Sequence, residues 1–145
     1  MSMQEESDNA DINNSIILTE EFKHNCQAIT FLEFLSLFKG DKDNLEENPV
    51  VKDTKDYVET FNRYGKMDNL STKACKVRKI FSDVYKENED GEKEELFDGI
   101  EQTLLIDLAP STADEAFKLI PTLIGKIKAE ELQEKLDILD GELNL

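Results

Sequence analysis

The chain has 145 residues, of which 39% are hydrophobic and 34% charged, and its formal net charge is −16. That length supports one domain with a real core and leaves little room for a second independent one. A surface this acidic repels phosphate, so nucleic acid could be held only by a local basic patch.

The charge is unevenly spread. Residues 1–22 carry six acids and no Lys or Arg, and residues 89–101 carry seven acids against one Lys, whereas residues 67–88 are net positive. The opening MSMQEESDNADINN lacks the basic start and apolar run of a secretory signal, and no apolar stretch approaches the roughly 20 residues that span a bilayer. A soluble, intracellular protein is expected. Cys26 and Cys75 are far apart in sequence, and in a reducing compartment they are expected to be buried free thiols and not a disulfide.

In chain order, residues 1–14 are polar and aperiodic and read as a disordered acidic lead. The segment SIILTEEF follows, with Ile16, Ile17, Leu18 and Phe22: too short for a helix, rich in β-branched residues, and strand-like. A lone strand is not stable, so either another part of the chain covers it or another protein does. Residues 27–38, QAITFLEFLSLF, place eight apolar side chains among the polar Gln27, Thr30, Glu33 and Ser36, which on a helix would be apolar nearly all round. Such a helix must be buried on more than one side. Gly40 and the polar run after it end it in a loop.

Val50, Thr54, Tyr57, Val58, Phe61 and Tyr64 repeat at helical spacing up to Gly65, and Ala74, Val77, Ile80, Phe81, Val84 and Tyr85 do so after Ser71, a candidate N-cap. Each reads as a helix with one wet face. The acidic stretch KENEDGEK reads as a solvated loop. Leu96, Phe97, Ile100, Leu104, Leu105 and Leu108 give a fourth stripe, broken by Pro110. Thr112 with Glu115 forms a capping-box pattern ahead of Ala113, Ala116, Phe117 and Ile120, and Pro121 forbids continuation because its ring blocks a backbone bond. After a turn through Gly125, a last helix begins near Lys128 with Leu132, Leu136 and Leu139 on one face and Gly141 as a candidate C-cap.

Catalytic patterns are lacking. There is no Gly-rich phosphate loop, no G-x-S-x-G and no H-E-x-x-H, and the single histidine, His24, has no cysteine at zinc-site spacing. No enzyme activity, cofactor or metal is therefore expected. Residues 86–97 imitate a calcium loop at Asn88, Asp90 and Gly91, but Lys86 and Phe97 occupy the positions of its first and last ligands. Lys73, Lys76, Arg78 and Lys79 form the one basic cluster, spread over about half of a helix circumference without neighbouring aromatics, and read as a solvated face more than a phosphate contact.

Five stretches taken in order resemble the fourth-subunit family of eukaryotic RNA polymerase II. They are Ile17 to Phe22 ahead of an apolar helix, Tyr57-x-x-x-Phe61-x-Arg63-Tyr64, Leu108 to Ala116, Leu119 to Leu123, and Glu130 to Gln133, spanning about residues 16 to 140. The resemblance implies a nuclear, non-catalytic stalk subunit that pairs with the polymerase's seventh subunit, joins the polymerase core, and meets RNA mainly through that partner during initiation. It also implies an HRDC-like bundle in the later helices. The acidic loop around Glu89–Glu95 is longer than the family's usual turn, and Thr122 stands where serine is more common. The stalk subunit of polymerase III, of a plant silencing polymerase or of an archaeal enzyme is the alternative within the same class, and an HRDC-type nucleic-acid-binding module is the alternative from another.

The expected fold is all-α: a disordered lead at 1–14, a partner-binding arm and first helix at 15–46, and a helical bundle at 47–145. Ile16, Ile17, Leu18 and Phe22 are expected to dock on the partner subunit, with Phe31, Phe34, Leu35 and Phe38 divided between core and interface. The other reading, in which the arm folds back over the helix within one chain, stays open at this point.

Overall fold

The computed structural model describes residues 26–39, 48–64 and 69–143. The expected lead, the arm with Ile16, Ile17, Leu18 and Phe22, His24, and the turns after Gly40 and at Gly65 lie outside these. Among the described residues there are six α-helices, two 3-10 segments and one two-stranded sheet, so the chain is mostly helical and the all-α expectation misses a small hairpin.

Helix α1 is Phe31–Ser36, continued by a 3-10 turn at Leu37–Lys39. It starts later than the predicted residue 27 because Thr30 and Glu33 are its capping box. Glu33 N donates to Thr30 Oγ1 at 3.1 Å and Thr30 N donates to Glu33 Oε1 at 2.9 Å. Ala28 and Ile29 therefore precede the helix, and the helix that would be apolar nearly all round is not formed.

Helix α2, Pro49–Phe61, opens with proline at its first position and Asn48 accepting from Val50 N at 2.9 Å. It ends short of the predicted Gly65, and Tyr64 reaches the core from beyond it, donating its hydroxyl to Ile106 O at 2.7 Å. Helix α3 is Leu70–Ser82, with Ala74, Val77 and Phe81 buried; Ser71 lies inside it, and the N-cap position falls to Asn69, whose side chain makes no cap bond. Val84 and Tyr85 fall outside the helix, and Tyr85 is exposed. Cys75 is on the outer side of α3 and Cys26 ahead of α1; both are free, as expected, but exposed where burial was expected.

The predicted acidic loop is a β-hairpin. Strands β1 (Tyr85–Glu87) and β2 (Lys93–Glu95) run antiparallel, with Lys86 opposite Glu94 and Glu87 opposite Lys93, so the charges that looked like solvated loop attract across the strands. Asn88 Oδ1 holds the turn by accepting from Asp90 N at 3.0 Å and Glu92 N at 2.9 Å, and Gly91 takes the left-handed φ of 79° that the reversal needs.

Helix α4, Gly99–Leu108, begins with a second capping box, Asp98 with Glu101, and ends where Ala109 turns left-handed before Pro110. Helix α5, Ala113–Leu119, is capped by Thr112, which accepts from Glu115 N at 3.1 Å; the Glu115 carboxylate accepts from Ser111 N and not from Thr112 N, so only half of the predicted box forms. Pro121 ends α5 and opens a 3-10 turn at Pro121–Leu123. Helix α6, Ala129–Leu143, buries Leu132, Leu136 and Leu139 as predicted, while Gly141 lies inside it and does not cap it. One core runs from Leu32 of α1 through Phe81 and Phe97, whose rings meet edge-on at 5.9 Å, to Leu136 of α6.

Candidate partner-binding surface

Helix α2 has two apolar stripes one residue out of step. Val51, the stem of Lys55 and Val58 face the chain, and Val58 is only 4% exposed. Val50, Tyr57 and Phe61, with Thr54, face outward, Tyr57 being 57% and Phe61 54% exposed. The sequence pattern assigned this second stripe to the buried face. Lys55 disguised the true one: its stem lies along apolar surface while its ammonium stands 5.2 Å from the centre of the Phe38 ring.

The outward stripe is continuous with α1. Phe31 packs edge-on against Tyr57 with ring centres 6.3 Å apart, and Tyr57 stacks obliquely on Phe61 at 4.7 Å. Phe34 contacts Phe38 edge-on at 5.2 Å. Of the residues expected to divide between core and interface, Phe38 is buried, Phe31, Phe34 and Leu35 are half-buried, and Leu32 takes the fully buried position between them. Leu37 and Ile29, at 59% and 44% exposed, flank this surface in sequence. Ile16, Ile17, Leu18 and Phe22 lie outside the described residues.

Polar groups fix α1 beneath these rings. Asp107 of α4 accepts from Phe31 N at 3.0 Å. Burial pushes the Asp107 carboxyl up to about 7, against the lowering by that backbone bond and by nearby Arg78. Arg78 of α3 donates to Glu33, to Ala28 O at 3.2 Å and to Thr103 Oγ1 at 3.2 Å. Burial raises the Glu33 pKa, but the Thr30 backbone bond and Arg78 outweigh it and hold the group below its usual value.

The basic cluster is therefore a solvated face only in part: Lys76 and Lys79 are exposed, whereas Lys73 and Arg78 are drawn into the fold. Lys73 is buried and paired with Glu142 at 2.8 Å, Lys76 reaches the same carboxylate at 2.9 Å, and Arg78 is engaged at α1. These pairs join α3 to α6 and to the first helix, and of the four only Lys79 has no ion pair shown among the described residues. Across the open groove between α5 and α6, Gln133 joins the two helices by accepting from Ala113 N at 2.8 Å and donating to Ser111 O. Among the described residues no group of three or more His, Cys, Asp or Glu side chains could hold a metal ion, and no helix is long and apolar enough to cross a membrane.

The described residues thus combine a core tied together by ion pairs with aromatic side chains left on the outside. The family model for RNA polymerase Rpb4 matches residues 2–141. The chain belongs to that family. A search of the curated proteins returned no match. As a member of the RNA polymerase Rpb4 family, the chain is a non-catalytic stalk subunit of an RNA polymerase, associated with the polymerase and a partner subunit. The outward stripe of α1 and α2 is the largest run of touching aromatic rings this Rpb4-family chain leaves exposed among its described residues.

Proposed function

We propose that this Rpb4-family chain is the RNA polymerase II subunit that pairs with the seventh subunit to form the stalk, supporting transcription initiation and the handling of nascent RNA in the nucleus. The observation that carries the reading is the continuous aromatic run Phe31–Tyr57–Phe61, more than half exposed at Tyr57 and Phe61. In water such a run is unfavourable, and rings of this kind dominate the energetics of protein interfaces. Phe31, Phe34 and Leu35 meet the partner on one side, Phe38 supports them from within, and Ile16, Ile17, Leu18 and Phe22 of the 15–46 arm extend the contact. Residues 47–145 then form the HRDC-like bundle, behind an acidic lead at 1–14. An obligate interface of this kind buries more than about 2,000 Å² in total. RNA is met through the partner, in keeping with the charge of −16.

Gel filtration of the chain with the seventh subunit is expected to give one species of 1:1 composition. A chain that is folded, monomeric and indifferent to that subunit overturns the reading. Affinity purification from nuclear extract followed by mass spectrometry identifies the polymerase: the largest subunit of polymerase II is expected, and that of polymerase III in its place would reassign the chain within the same class.

A further inference from the structure

Helix α1 has six residues plus a 3-10 turn, far below the roughly 12–15 at which an isolated helix persists in water. Its orientation is set by what it touches. Leu32 and, in the 3-10 turn, Phe38 anchor it on its buried side, and rotation about its axis then decides how far Phe31, Phe34 and Leu35 turn outward. Beside these apolar contacts, polar groups fix that rotation, and most of their bonds converge on one side chain.

Arg78 leaves α3 and bonds three other segments at once: the carbonyl of Ala28 in the stretch just before α1, the carboxylate of Glu33 in α1, and the hydroxyl of Thr103 in α4. Its side chain is 18% exposed and that of Glu33 30%, so the pair is partly shielded from water. Glu33 is also the third residue of the α1 capping box, so the same carboxylate joins the helix start to α3. We infer that Arg78 is a positioning residue for the partner-binding surface, clamping α1 and the residues just before it at the rotation that presents Phe31, Phe34 and Leu35 outward. This rests on the proposed pairing with the seventh subunit. A planar guanidinium can serve three acceptors from different directions, whereas a lysine ammonium on a flexible stem lacks that fixed fork.

The test compares the wild-type chain with Arg78→Ala, Arg78→Lys and Glu33→Gln in two measurements. One is amide hydrogen exchange over residues 31–38 against residues 132–139 in the free chain. The other is the Kd for the seventh subunit. Arg78→Ala is expected to speed exchange over 31–38 by roughly tenfold or more through the loss of charge-assisted bonds, with residues 132–139 within about twofold of wild type. Partner binding is expected to weaken by a similar factor, and Arg78→Lys recovers only part of either effect. Glu33→Gln, which keeps a residue suited to the capping box, gives the same pattern at smaller size and decides the matter if Arg78→Ala fails to fold. The inference is overturned if 31–38 is unprotected in the wild type, if exchange rises equally at 132–139, or if Arg78→Lys behaves as wild type. Failure of the wild-type chain to bind the seventh subunit would instead remove the pairing, while exchange still decides the clamp.

Discussion

Helices α2 and α6 carry comparable apolar stripes in sequence and put them to opposite uses. On α6, Leu132, Leu136 and Leu139 are each at most 2% exposed and pack into the core. On α2, Val50, Tyr57 and Phe61 follow a similar spacing and stand in solvent. Helical periodicity identifies a face that avoids water; it does not say whether the same chain or another one covers that face. On α2 it is the adjacent face, one residue round the helix and with Lys55 in its middle, that packs.

The widest separation between the two helices is expected from alanine truncation. Leu136→Ala leaves a cavity in a packed core and should cost about 2–5 kcal/mol in a urea titration. Tyr57→Ala removes a larger side chain, yet it should move stability by no more than about 0.5 kcal/mol, because the ring is mostly in water already. Its effect should appear in partner binding, as a loss of at least about 2 kcal/mol if the ring is an interface anchor. Equal losses of stability from both substitutions would break the comparison.

The next effect concerns how α1 is held. Asp107 has its carboxyl raised from 3.8 to about 7 by burial, so the folded state holds that proton more tightly than the unfolded chain does. The contribution is therefore most favourable below pH 4, is lost as pH rises from about 4 to 7, and is level above that; by linkage it amounts to at most a few kcal/mol (about 1.4 per pKa unit), reduced by the solvent that reaches the group. Asp107→Asn keeps an oxygen for Phe31 N but has nothing to titrate. Unfolding titrations at pH 4, 6 and 8 should show the variant gaining on wild type as pH rises, with little difference at pH 4. A wild-type curve that Asp107→Asn leaves unaltered would show that this carboxyl is not the titrating group.

Legibility in the sequence divides along the same line. The C-terminal half is written in strong local signals: Thr112 ahead of α5, Pro121 at its end, Gly125 with its φ of 86°, and the leucines of α6 all act where the pattern places them. Errors arose where a polar residue had a tertiary role. Thr30 and Glu33 looked like gaps in an apolar helix and are its cap, Lys55 concealed the packed face of α2, and Lys73, Lys76 and Arg78 looked solvated because their carboxylate partners lie 45 to 69 residues away in sequence. The hairpin was hidden by acidity, since its opposite-charge pairing exists only once Glu87 and Lys93 face each other. The candidate surface was half legible: an excess of apolar side chains near Phe31 was evident, but its continuation onto Tyr57 and Phe61 depends on how α1 and α2 meet.

The smallest effect, and the finest probe of the contrast, comes from the two threonine caps. Thr112 and Thr30 each accept one backbone N–H at 3.1 Å, from Glu115 and Glu33 respectively, so as local bonds they are equivalent. Removing such a cap typically costs about 0.5–2 kcal/mol. Helix α5 is built into the core through Ala113, Ala116 and the following Ile120, so Thr112→Ala should be felt by the whole domain, lowering Tm by several degrees, with about 4 °C or less expected per kcal/mol in a chain of this size. Helix α1 has further supports in Arg78 and Asp107, so Thr30→Ala should loosen residues 31–38 in hydrogen exchange more than it lowers Tm. If Thr30→Ala lowers Tm as much as Thr112→Ala, then α1 unfolds only with the rest, and its outward rings belong to the same cooperative unit as the leucines of α6.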